Sequence, residues 1–199
     1  MATTISGTAG VTFPAGGLGN PAGAVVGTTD TQTLTNKTIQ GGAITSGTAV
    51  ASTSGTSIDF TSIPSWVKRI SVDLQGVSLS GTAAICFRLG TVSGFETTGY
   101  VGVGQRSAAS ATAENNQTST FVVNTSVATA LVSGRAVFDL MNSATNLWTF
   151  TFTGTDSANS AIFVSAGNKP LAGVLTQVRL FSYNGTDTFD AGSINILYE

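Results

Sequence analysis

Histidine is absent from this 199-residue chain, cysteine occurs once, and only 9% of the residues carry charge. Without imidazole there is no Ser-His-Asp or Cys-His triad and no histidine-based proton transfer near neutral pH. One thiol and no imidazole leave too few ligands for a zinc site, and a single cysteine, Cys86, excludes an internal disulfide. The eight basic residues are dispersed, with Lys68 and Arg69 the one adjacent pair. No basic face is therefore clustered enough to displace counterions, and no nucleic-acid partner is expected. No apolar run reaches the ~18 residues of a membrane helix, so the mean hydropathy of +0.27 reflects alanine, valine and scarce charge. A basic segment followed by an apolar one is missing at the N-terminus, and neither a signal peptide nor membrane insertion is expected.

What fills the chain instead is Ser and Thr, together roughly a quarter of it, and Gly well above its usual share of about 7%. Thr, the other β-branched residues and the aromatics suit strands, whereas Gly and Ser suit tight turns. The composition is all-β. Alternation supports it: Ile70, Val72 and Leu74 fall on one face of a strand, with Arg69, Ser71 and Asp73 on the other. Trp148, Phe150 and Phe152 alternate with Thr149, Thr151 and Thr153 in the clearest strand of the sequence. Further strand-like runs occupy residues 58–60, 83–89, 119–124, 135–141, 161–165, 174–183 and 193–198. In residues 84–89, A-I-C-F-R-L, the alternation leaves Cys86 as a small half-buried thiol opposite Ile85, Phe87 and Leu89. Asn184–Gly185 reads as a hairpin turn, residues 104–117 as a long polar loop, and Gly99, Gly102 and Gly104 as bends. Eight to ten such strands predict a β-sandwich or jelly-roll-like domain over residues 56–199. Trp66, just after a turn at Pro64–Ser65, is large enough to seal one end of that core.

Residues 1–55 differ. They hold two charges, Asp30 and Lys37, and ten large apolar side chains among recurrent Gly and Pro. That is too little apolar surface to offset the entropy of fixing the backbone, so this segment is expected to be an extended arm ordered by other subunits. Within it, residues 31–39 read T-Q-T-L-T-N-K-T-I. This element resembles one found in tail-fibre and other virion proteins of tailed bacteriophages. Residues 54–70, S-G-T-S-I-D-F-T-S-I-P-S-W-V-K-R-I, with Gly99–Tyr100 and the final F-D-A-G-S-I-N-I-L-Y-E, also resemble a recurrent phage structural module.

The resemblance implies a virion component, a homotrimer assembled in the host cytoplasm and carried on the particle. Leu34, Thr35, Asn36, Lys37, Thr38 and Ile39 would then belong to the assembly arm, contacting other virion proteins through residues 1–55. A fibre-like appendage is the first expectation. A capsid decoration protein stabilising the head, or a module binding host-surface glycan at a fibre tip, are the alternatives. For glycan contact the candidate rings are Trp66 and Tyr100, since sugars stack on aromatic faces; Trp148 belongs to the core by its alternation.

Catalysis is not expected. Carboxylate pairs of the glycosidase type could be drawn from Asp187 with Asp190 or Glu96 with Asp156, but ten carboxylates in a chain of this length give such neighbours by chance. Asp156 and Asn159 lack the carboxylate density of a calcium loop. No cofactor or metal follows.

Overall fold

A computed structural model describes residues 4–6, 10–12, 44–109, 111–123 and 128–199. The chain divides into two compact units, Met1–Gly42 and Ala43–Glu199. In the first, β1 (Thr4–Ser6) and β2 (Gly10–Thr12) form an antiparallel ladder. Residues 34–39 lie outside the described residues.

The second unit is a β-sandwich, all antiparallel, with no helix among the described residues. Its strands are β3 (Thr45–Ser46), β4 (Val50–Ala51), β5 (Ser57–Phe60), β6 (Arg69–Leu79), β7 (Ile85–Thr91), β8 (Gly94–Phe95) and β9 (Val101–Ala108). There follow β10 (Ala111–Asn116), β11 (Phe121–Val122), β12 (Val132–Asn142), β13 (Leu147–Asp156), β14 (Ala161–Pro170), β15 (Gln177–Ser182) and β16 (Phe189–Tyr198). A nine-stranded sheet runs β10-β9-β14-β13-β12-β6-β16-β3, with β4 also on β16; a five-stranded sheet runs β11-β7-β15-β5, with β8 on β7. Single hairpins stay within a sheet, as β12–β13–β14 do, while β5–β6, β6–β7, β14–β15 and β15–β16 cross between sheets.

The expected alternations form the core. Ile70, Val72 and Leu74 from β6, and Trp148, Phe150 and Phe152 from β13, are buried against Phe87, Leu89, Val178 and Leu180 of the smaller sheet. Four rings tie the layers: Phe150 stacks on Phe121 at 4.5 Å, Phe138 lies 5.1 Å from Phe150, and Phe87 meets Phe138 edge-on at 5.3 Å. Cys86, on the face of β7 opposite Phe87, is fully rather than half buried, enclosed with Ala84, Val122 and Phe181 in a small cluster of its own, because Val122 of β11 and Phe181 of β15 flank it on that face.

Several readings of the sequence are corrected. Residues 104–117 are not a loop: β9 and β10 make a hairpin, whose first strand is held by a full backbone ladder to β14. Of the three glycines read as bends only Gly99 bends the chain, at φ 76°; Gly102 and Gly104 lie within β9, where an added Cβ would meet the Ala166 carbonyl at 3.1 Å and Ser165 Oγ at 2.8 Å. Asn184–Gly185 does not join a hairpin, since β15 and β16 belong to different sheets. Gly185 takes φ 70° there, while Asn184 Oδ1 accepts from the Thr186 and Asp187 amides. Trp66 does not seal the core; Ile63 and Val67 are the buried residues of its segment. The sandwich also reaches upstream of residue 56, because β3 and β4 pair with β16.

Candidate functional site

The wide sheet has an outward face built by the same alternation that fills the core. On β13, Thr149, Thr151, Thr153 and Thr155 stand opposite Asn168, Ala166, Val164 and Ile162 of β14. Those in turn lie beside Val101, Val103, Gln105 and Ser107 of β9. Three adjacent strands thus turn twelve uncharged side chains outward. Among them Val101 is 63% and Ile162 53% exposed, with Val103 and Val164 close behind. Single exposed aliphatics are ordinary on a protein surface, but four on neighbouring strands form a patch.

The other half of the face carries charge, all of it paired. Arg69 on β6 donates to Asp139 on β12 at 2.6 Å and to Glu199 at 3.1 Å. Arg135 on β12 makes a two-pronged bond to Asp73 on β6, at 2.6 and 2.9 Å, and this carboxylate raises the guanidinium's pKa above its usual value. Between the two arginines, Val137 and Ser71 stand opposite each other and Leu197 of β16 continues the row. A groove of about 320 Å³ results, floored by Val137, Leu197 and Ser71, with Ile44, Tyr198, Glu199 and the two arginines around it.

Of the residues singled out for glycan contact, Trp66 is 52% exposed and does not line this groove; its ring rests 5.9 Å from that of Tyr198, which does. Tyr100 is not a surface ring. It is 2% exposed, packs edge-on against Phe121, accepts a hydrogen bond from the Leu89 amide at 2.9 Å and donates to the Glu96 carbonyl at 3.1 Å. The phenol sits where β9 begins beneath the smaller sheet, so a sugar cannot reach it.

Three of the four carboxylates considered for chemistry are occupied structurally, and the fourth, Asp190, is exposed on β16. Asp187 accepts from the Ala83 amide at 2.8 Å. Glu96 pairs with buried Lys169 and accepts from the Ala172 amide. Asp156, fully buried, takes hydrogen bonds from the Leu131 amide and from both the backbone and side-chain N–H groups of Asn159, so donors rather than a cation fill its oxygens. Among the described residues no group of three or more His, Cys, Asp or Glu could hold a metal ion.

The threonine row of this face is legible in the alternation of residues 148–153, but its aliphatic members are not, for a physical reason. Residues 161–164 are a continuous apolar run, A-I-F-V, and periodicity alone cannot tell its inner Phe163 from its outer Ile162 and Val164.

Two buried acids have a consequence for alkaline stability. Burial pushes both the Cys86 thiol and the Tyr100 phenol up to about 12, from ordinary values of 9.0 and 10.0. Above those ordinary values the unfolded chain loses protons that the folded chain keeps. The stabilisation is fully present below about pH 9 and is lost as pH rises toward 12, by roughly 1 kcal/mol per pH unit for each group. Urea unfolding at about pH 8 and pH 11 should differ by a few kcal/mol, with Cys86→Ala flattening the first part of the decline. A constant free energy across that range would contradict it.

No protein-family model, curated protein or solved structure matches the chain.

Proposed function

We propose that this chain is a structural component of a tailed-bacteriophage particle, a trimeric fibre-like appendage protein attached through its N-terminal segment. The observation that carries the reading beyond the T-Q-T-L-T-N-K-T-I element is the outward face of the wide sheet, where twelve uncharged side chains on three strands adjoin a groove whose charges are all satisfied internally. Such a surface suits packing against another protein more than contact with water. The structural roles of Asp187, Glu96 and Asp156 accord with a protein that performs no catalysis. Decoration of the head is the second reading, supported by the lack of heptads for a coiled-coil shaft. Glycan binding loses one of its two rings with the burial of Tyr100.

The test is to label purified particles with antibodies raised against residues 56–199 and to image them. Label at the tail supports the appendage and label over the head supports decoration. Particles that carry neither the label nor peptides of this chain by mass spectrometry would refute both.

A further inference from the structure

We propose that the outward face of the nine-stranded sheet is the contact between copies of this chain, with the apolar ridge on β9 and β14 of one copy seated against the groove half of the next. This rests on the trimeric reading above and names the surface that forms the trimer.

The two halves of the face complement each other. The ridge is Val101, Val103, Ile162 and Val164, all exposed, on a face where β9, β14 and β13 turn uncharged side chains outward. The groove is floored by Val137 and Leu197, and its arginines already have carboxylates within the same protomer. An occupant therefore needs to bring no counter-charge, and a charged one would have to compete with existing pairs. An uncharged β-branched surface fits this requirement, and the chain itself displays one.

Ridge and groove occupy different strands. From β14 to β6 is three strand spacings, roughly 14 Å at about 4.8 Å each. Contact between two different patches is head-to-tail, and such contacts close into rings when the rotation allows. Three copies with these faces turned toward a common axis would each place a ridge on one neighbour and receive a ridge from the other. Six strands at about 4.8 Å and some eight residues at about 3.4 Å span roughly 800 Å², and a closed ring divides that face between two neighbours, about 400 Å² to each.

Thr151 lies between the two halves, paired to Ala166 on the ridge side and Val137 on the groove side. The full-length chain carrying Thr151→Cys tests whether this face is covered, using maleimide as the probe and native mass spectrometry for the assembly state. Cys86, the one native thiol, is buried and held in its protonated form, so it does not compete.

The expected result is a trimer in which Cys at 151 reacts at least about tenfold more slowly than in the unfolded chain. Adding Ile162→Lys with Val164→Lys on the ridge, or Val137→Lys in the groove, should each restore fast labelling while the circular dichroism of the sandwich stays unchanged. Fast labelling within an intact trimer would overturn this surface and leave the trimeric reading standing. A monomeric parent chain would overturn both. Protection that survives the ridge changes but not the groove change would overturn the pairing of ridge with groove.

Discussion

Removing residues 1–43 should leave the sandwich folded with its thermal midpoint unmoved, whereas removing residues 1–55 should lower its stability by about 2–6 kcal/mol. Composition changes near residue 56, but the fold does not begin there. Residues 44–55 run along β16 as an interrupted edge: Gly47 donates to the Ile196 carbonyl at 2.7 Å, Ser52 donates through its amide to Gly192 and through its hydroxyl to Ala191, and the Phe189 amide donates to Gly55. Ser52 is fully buried. A Cβ at Gly47 would meet Ile196 Cγ2 at 2.9 Å and the Ile196 carbonyl at 3.2 Å, so a larger residue there would force this edge to shift. Four hydrogen bonds at about 0.5–1.5 kcal/mol each give the stated range. The longer truncation also bares the edge of β16, a template for unwanted strand pairing. Urea unfolding of both truncations, with light scattering as the second readout, checks this. Equal stability for the two would mean that β3 and β4 only decorate the edge.

The second large effect is expected in the ring cluster. Phe150→Ala should cost about 3–5 kcal/mol, a large part of the roughly 5–15 kcal/mol that holds a typical domain folded. Phe150 is 2% exposed and touches Phe121 and Phe87 of the smaller sheet and Phe138 of its own. Truncating it removes apolar burial and leaves a void that three rings from two layers cannot all collapse into. The stacked and edge-on geometries add to the area term. Phe150→Leu should recover more than half of the loss. A cost for Phe150→Ala below about 1 kcal/mol would show that the two layers do not depend on these rings.

Both expectations depend on features that differed in how readily they could be read. The alternation of Trp148, Phe150 and Phe152 with threonines is visible in the sequence because one face is aromatic and the other polar, and the structure buries that aromatic face. The β9–β10 hairpin was not visible: its residues are small and polar, and it is strand because backbone groups of β14 pair with it. Tyr100 illustrates a different limit. Its polar tip and position among glycines resemble a surface ring, but which side of β9 is covered depends on β11, an element of two residues that pairs with a different sheet. The groove was equally hidden, since Ile44, Arg69, Arg135 and Leu197 are brought together only by the order of strands in the sheet.

The placement of β16 also bears on timing during synthesis. This strand lies between β6 and the β3–β4 edge, and Glu199 joins Arg69 by backbone and side chain across 130 positions of sequence. While the ribosome is still making the preceding loop, β6 lacks a neighbour on one side and the groove lacks its Leu197 floor. A nascent or prematurely terminated product would therefore carry the ridge but no seat for another copy's ridge. If copies meet through this face as proposed, only chains that include β16 can both give and receive a contact.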